Sequence, residues 1–286
     1  MTATSDAPAT ADPAPPTPVA PRRGVDPRRR RSVGRAAQYL ALVAVALAIG
    51  LGADWSRLAE YFGNPRVAAE LFPEIITVAL VNTVVYTLSS YLLGFVLGMV
   101  LALMRLSSVP INRWLARGYI ELFRGLPALL VFMIIGFGVP VAFPGFTVPF
   151  GKYGIVMLAL GLVSAAYLAE TFRAGIQSVP VGQTEAARAL GMSASRALWT
   201  IVLPQAVRTV IPPLTNELVL LFKDSSLVYV IGVTAATTEL AKYGSDLATQ
   251  WSNSTPLVVA GLTYLVVTVP LSIVVGRLEK RQGRPR

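Results

Sequence analysis

Long uncharged stretches alternate along the chain with short segments that carry its charge. Ala36–Ala53, Ile75–Met104, Gly125–Gly151, Tyr153–Ala169 and Leu247–Gly276 contain no Asp, Glu, Lys or Arg, over 18, 30, 27, 17 and 30 residues. A helix needs roughly 20 apolar residues to cross a bilayer core. Unbroken apolar runs of this length predict an all-α, polytopic helical membrane protein. A β-barrel would show ~10-residue alternating segments instead. Six spans are predicted, near 37–53, 75–104, 126–143, 153–172, 209–234 and 256–276. The second would be ~45 Å long against a core of ~30 Å, so it tilts or protrudes. Gly94 and Gly98 are spaced to bring a neighbouring helix backbone close, and packing within one subunit is favoured over a dimer seam. Pro140, Pro144 and Pro149, with Gly136, Gly138, Gly145 and Gly151, end the third span in an external loop. The Ser- and Thr-rich stretch 236–255 reads as a second long external loop.

Composition narrows the chemistry. Charged residues make up 14% of the 286, where a soluble domain carries about 25%, and the mean hydropathy is +0.60. There is no His and no Cys. That removes zinc and haem sites of the usual types, Ser-His-Asp triads, thiol nucleophiles and disulfides. Gly151-Lys152 is followed by Tyr153, so the chain has no phosphate-cradling G-x-x-x-x-G-K-[ST] loop. If ATP drives it, another chain binds the ATP.

The net charge of +10 is unevenly placed. With the N-terminus inside, cytoplasmic segments hold 20 of the 25 basic residues; Arg57, Arg66, Lys152 and Lys242 lie outside, and Lys223 lies within a span. That asymmetry predicts cytoplasmic N- and C-termini. Residues 1–35 hold seven prolines and seven arginines, with too few large apolar side chains to bury a core. They predict a disordered basic tail that serves as a topology signal rather than a lipid or nucleic-acid patch. Its length favours an uncleaved anchor over a signal peptide. Residues 36–74 then form an extra span with an external loop, and 75–280 a five-span core.

The segment 173–208 stands out between two spans. Pro180 opens it, a helix is predicted over Val181–Leu190, and Gly191 sits where a cap demands a left-handed residue. Ser193 caps a second short helix that Pro204 disturbs at its end. A loop of this length in a compact membrane protein is usually functional, and its small Ala186 and Ala187 permit helix-in-groove docking.

Glu185-Ala186-Ala187, Gly191 and Ile201-Val202-Leu203-Pro204 together resemble the EAA loop of ABC-importer permeases. Tyr119–Pro127, Tyr167–Ser178, Pro212–Glu217 and Lys223–Leu227 are similar to blocks of the polar amino acid branch, which transports His, Glu, Gln, Arg and opine-type solutes. The resemblance covers about 75–280 and implies a type I importer permease in the cell membrane. It also implies two permease subunits, identical or different, a cytoplasmic ATPase dimer that holds ATP and Mg, and an external solute-binding protein. This chain would bind no cofactor and catalyse nothing. Glu185, Ala186, Ala187, Gly191, Ile201, Leu203 and Pro204 would couple it to the ATPase.

Glu217, Lys223, Asp224 and Ser225 are the expected substrate path, because ionisable groups at membrane depth are costly and face protein or water. Lys223–Ser226 also disfavours helix, as in broken transporter helices. Equally, Lys223 and Asp224 fit internal pairing. Glu121/Arg124 and Glu170/Arg173, spaced i, i+3, read as structural pairs. An ion-coupled transporter or channel would account for the charges but not for the loop. A permease for another small polar solute and a membrane enzyme are the other readings.

Overall fold

The computed structural model of the chain describes residues 27–282, with side chains over 35–280. Among them every regular element is helical. The chain divides into two compact units, the first ending at Trp55. The described part of the first unit is essentially α1 (Pro27–Gly52), followed by Trp55, whose indole Nε1 donates to the Gly50 carbonyl at 2.7 Å. None of the apolar stretch Arg35–Gly52 is buried. The helix starts at Pro27, so Arg28–Arg31 and Arg35, expected in a disordered tail, lie in its first turns; a proline in the first turn costs no hydrogen bond. Most of the expected tail, residues 1–26, lies outside the described residues.

The second unit begins at Ser56, one residue into α2 (Trp55–Phe62), and goes on to α3 (Pro65–Glu70). A π-helical turn, Ile75–Leu80, runs into α4 (Val81–Leu106), giving the long second span that its apolar run requires. Next come α5 (Pro110–Gly125), α6 (Ala128–Met133), a second π turn at Ile134–Gly138, and α7 (Val139–Ala142). The third span, expected over 126–143, is the α6–α7 run, and α5 before it meets that run at 104°. The cause is Leu126-Pro127. Leu126 is extended (φ −92°, ψ 138°), as the residue before a proline prefers.

The remaining elements are α8 (Lys152–Gln177), α9 (Val181–Ala189), α10 (Ala194–Ala197), a π turn at Leu198–Val202, α11 (Leu203–Asp224), 3₁₀ turns at Ser225–Ile231 and Ala235–Thr237, α12 (Leu240–Gln250) and α13 (Thr255–Gln282). Three expectations change here. Pro204 does not end the second short helix; it sits in the first turn of α11, where its missing N–H goes unnoticed. The fifth span, expected over 209–234, is α-helical only to Asp224. The stretch 236–255 is no plain loop, because Glu239 caps α12 with its own carboxylate, which accepts from the amides of Ala241 and Lys242 at 2.7 and 2.6 Å.

Lipid offers apolar side chains no reason to pair, so these helices associate through close packing of small residues. α4 lies along α8. A Cβ on Gly94 would meet Ser164 Oγ at 2.6 Å, and one on Gly98 would meet the Leu168 Cβ at 2.9 Å and the Ala165 carbonyl at 3.0 Å. The glycine pair therefore works within the subunit, as its spacing suggests. Around this seam, Tyr86, Phe132, Val156, Leu160, Leu221 and Val228 form the largest buried cluster. α5 packs on this seam through Ala116 and Ile120 against Leu101, Ala165 and Ala169. A Cβ on Gly244 of α12 would meet the Ala260 Cβ and the Pro256 carbonyl of α13, both at 2.9 Å. Residues 60–64, expected to go with the first span, bond to the start of α13: the Tyr61 carbonyl accepts from Ser254, and the Asn64 amide donates to Thr255 Oγ1 at 3.1 Å.

Gly98→Val is expected to destabilise the fold by ~1–3 kcal/mol, the usual cost of over-packing. Gly118→Ala, on α5 with nothing within 4 Å of its Cβ, should be neutral or stabilising by up to about 1 kcal/mol. Thermal midpoints of the two variants in detergent check the pair.

Candidate functional site

Two regions hold the residues singled out by sequence. The first is the helix–Gly–helix unit between α8 and α11. Pro180 is extended (φ −54°, ψ 131°) and starts α9. The helix ends at Ala189, and Gly191 takes φ +83°, the left-handed region that favours glycine. Its amide donates to the Arg188 carbonyl at 3.0 Å, and that of Met192 to Ala187 at 3.1 Å, so the last carbonyls of α9 are satisfied. Ser193 Oγ then accepts from the Arg196 amide at 3.2 Å and starts α10.

This unit has an inner and an outer side. Ala187 and Ala197 are buried, beside a small cluster of Val179, Val202 and Ala206 with Ile176 and Leu198 at its edge. Ile201 and Leu203 are half-buried along the same seam. Glu185, Ala186 and Pro204 are exposed, and Leu190 is 85% and Trp199 66% exposed. Leu190 and Trp199 thus leave large apolar side chains in the open on a unit whose other side is packed.

The second region is a furrow between α8 and α11. A cleft of 650 Å³ is lined by Arg124, Tyr167, Glu170, Arg173, Asn216 and Glu217, among others. A smaller one of 220 Å³ shares Tyr167 and Glu217 with it and adds Ser164, Leu220 and Asp224. Glu217 and Asp224 are two helical turns apart, hence on one face of α11. The structure brings these two together and leaves the others out. Lys223 is exposed but lines neither cleft. Ser225 is fully buried, its hydroxyl donating to the Phe222 carbonyl at 2.7 Å, so it ends the helix instead of lining the path.

The arginines of the furrow are held in place. Glu170 accepts from Arg173 Nη2 at 2.6 Å and Nε at 3.0 Å, and Arg105 approaches it at 3.6 Å. The expected Glu170/Arg173 pair is therefore present. Arg124 behaves differently from expectation: its guanidinium lies 5.5 Å from the centre of the Tyr167 ring, a cation–π contact across helices, while Glu121 points to an exposed position. Tyr167 and Asn216 were not anticipated as lining residues. Both are polar groups in a largely apolar span, beside Glu170 and Glu217 respectively, and that was the available signal.

Elsewhere, Glu239 is a buried acid that sequence reasoning passed over. Besides the two amides of α12 it accepts from Tyr264 Oη of α13 at 2.8 Å. Burial pushes its carboxyl above the usual carboxylate range, and the three hydrogen bonds oppose that shift.

Comparison with known proteins places this architecture. The family model described as binding-protein-dependent transport system inner membrane component matches residues 94–284, which include both regions. The chain belongs to this family. The permease is 42% identical over 193 residues to the probable glutamine ABC transporter permease protein GlnM of Bacillus subtilis, covering 66% of this chain and 84% of that one. It is 36% identical over 234 residues to the arginine transport system permease protein ArgU of Corynebacterium glutamicum, covering 77% and 72%. It is 35% identical over 210 residues to the glutamate/aspartate import permease protein GltK of Escherichia coli O157:H7, covering 71% and 91%. Among solved structures, an amino acid ABC transporter with histidines contains a chain of TM-score 0.65 and 31% identity, covering 75% of the permease and 96% of that chain. A bacterial ABC transporter involved in alginate import matches at TM-score 0.64 and 16% identity, over 90% and 100%, which shows the type I importer fold alone.

The permease has no cysteine, so single thiols report position cleanly. Glu217→Cys should react with a small maleimide in detergent, whereas Ser225→Cys should stay unreacted until the protein is denatured. Equal reaction rates would show that the furrow does not end where Ser225 turns inward.

Proposed function

We propose that this permease imports polar amino acids into the cytoplasm by alternating access, as the membrane subunit of an ATP-driven importer. The names of its relatives, which handle glutamine, arginine and glutamate/aspartate, support the solute class. The observation that carries the mechanism is the α9 unit: a short helix, fixed by Gly191 at one angle, with Glu185, Ala186 and Leu190 on its open side. Such a helix suits a groove on a partner surface. The partner is a cytoplasmic ATPase dimer that holds ATP and Mg, since this chain has no phosphate loop. A second permease subunit, identical or different, and an external solute-binding protein complete the assembly; nucleic acid plays no part. The N- and C-termini lie in the cytoplasm, a reading supported by the 20-to-4 division of basic residues. Residues 75–280 form the transporting core, and α1 is an added span.

Closing of the ATPase dimer on ATP draws the two α9 helices together. Each loop moves as one piece with its packed neighbours, and the spans rock between inward- and outward-open states. ATP must bind one of these states more tightly for this to happen. Within the furrow, a zwitterionic solute meets carboxylates at Glu217 and Asp224 and guanidinium groups at Arg124 and Arg173. An ion-coupled transporter would need none of the α9 geometry.

Gly191→Val tests the coupling. A Cβ there meets no atom within 4 Å, so the damage comes from φ alone. A left-handed non-glycine residue costs ~1–2 kcal/mol. That is small for the fold, and when it acts on the docked orientation it amounts to roughly a tenfold change in equilibrium. Uptake of a labelled amino acid should fall about tenfold at near-normal membrane abundance, with the ATPase lost or unresponsive to solute. Normal uptake at normal abundance would overturn the coupling role. Glu217→Ala and Asp224→Ala should lower uptake while the ATPase still co-purifies. Wild-type rates in both would remove the furrow from the path.

A further inference from the structure

Between the 3₁₀ turn Ser225–Ile231 and α12, the chain crosses 232–239 with one 3₁₀ turn, Ala235–Thr237, as its regular structure. Gly232 turns it at φ +66°. What holds it is a set of side chains from two helices. Asn82 of α4 is buried and donates through Nδ2 to the carbonyls of Ala236 and Thr238, at 2.9 and 2.8 Å. Tyr86 Oη donates to the Thr237 carbonyl at 2.7 Å. From α8, Lys152 Nζ donates to the Ile231 carbonyl at 3.1 Å, and Tyr153 Oη donates to Asn82 Oδ1 at 2.5 Å. Tyr153 therefore orients the amide that grips the segment. Its ring also lies on that of Tyr86, with centroids 5.0 Å apart. The other side of the segment is open: Thr234, Ala235 and Ala236 are exposed and line a cavity of 490 Å³ with Glu74, Tyr243 and Asp246.

Lys152 and Tyr153 are the first two residues of α8. The same helix ends at Gln177, four residues before α9. At 1.5 Å per residue its 26 residues span ~39 Å, the full depth of a bilayer core. Sixty-one per cent of its most apolar 18-residue stretch is buried against its neighbours. Displacement of α9 therefore reaches the grip on 232–239 with no flexible joint other than Ser178–Pro180.

We propose that 232–239 is the external gate of the permease, and that Tyr153, acting through Asn82 and beside Lys152, is the positioning residue that makes the gate follow the α9 loop. This rests on the alternating-access reading above. In the wild type the gate is pinned to the external end of α8, so it shifts whenever the ATPase shifts α9. Without the Tyr153 hydroxyl, Asn82 keeps its bonds to Ala236 and Thr238 but loses its tie to α8, and the segment no longer tracks that helix.

The test uses the whole transporter with its ATPase in vesicles, and Ala235→Cys as the single thiol. A membrane-impermeant maleimide is added outside, with the ATPase either nucleotide-free or locked with ATP and vanadate. The labelling rate of Ala235→Cys should change several-fold between the two states. Adding Tyr153→Phe, which keeps the ring and removes only the hydroxyl, should abolish that difference while membrane abundance, thermal midpoint and ATPase co-purification stay as in the parent. A merely structural tyrosine would move those three readouts together. Lys152→Met, which removes only the bond to Ile231, should shrink the difference and serves as the test if Tyr153→Phe fails to accumulate. Should Ala235→Cys alone label equally in both states, alternating access through this gate is wrong. Should it respond to nucleotide, and respond equally with Tyr153→Phe or Lys152→Met, alternating access stands and the α8 linkage is overturned.

Discussion

The contact between α4 and α8 carries the rest of the molecule. Lipid tails are as apolar as leucine, so the two helices gain nothing by hiding side chains from their solvent. They gain by dispersion contacts at short range, and Gly94, Gly98 and Gly161 allow that range. Once they are locked, α5, α11 and the 3₁₀ turn after α11 each find a surface already formed. The furrow with Glu217 lies on one side of α8, and the α9 unit hangs from its end. A fault in the glycine seam would reach both functional regions at once.

The features legible in the sequence are those set by near neighbours. Gly191 after a run of helix formers, and Ser193 just beyond it, announce a turn and a cap that need no distant partner. The apolar runs announce α4, α8 and α13 for the same reason. The EAA pattern adds its meaning through resemblance, and the family match bears out that much. The roles given to individual residues still rest on geometry.

What stayed hidden depends on contacts between residues far apart in the chain. Asn82 reads as an ordinary polar residue in a span, and nothing near it predicts carbonyl partners more than 150 positions away. Glu239 reads as loop because it follows the small and polar run Thr234–Thr238; its carboxylate makes it the cap of α12. Ser225 was misplaced by a similar limit. A broken helix end looks like a binding site in sequence, but the hydroxyl that breaks it is spent on the backbone. The 104° turn at Leu126-Pro127 falls where the third span was expected to begin and was not legible, because a proline fixes where a helix stops and not where the next one points.

α11 carries Pro212 and Pro213 in its interior. A proline has no amide hydrogen, so the Thr209 carbonyl, four residues before Pro213, loses its donor within the helix. Thr209 and Pro213 both line the larger cleft. A main-chain acceptor without its helical donor, on a helix softened at the same point, thus belongs to residues that line the cleft. Truncating side chains one at a time cannot delete such an acceptor. Replacing Pro213 can, because it restores the missing N–H and closes the backbone on itself.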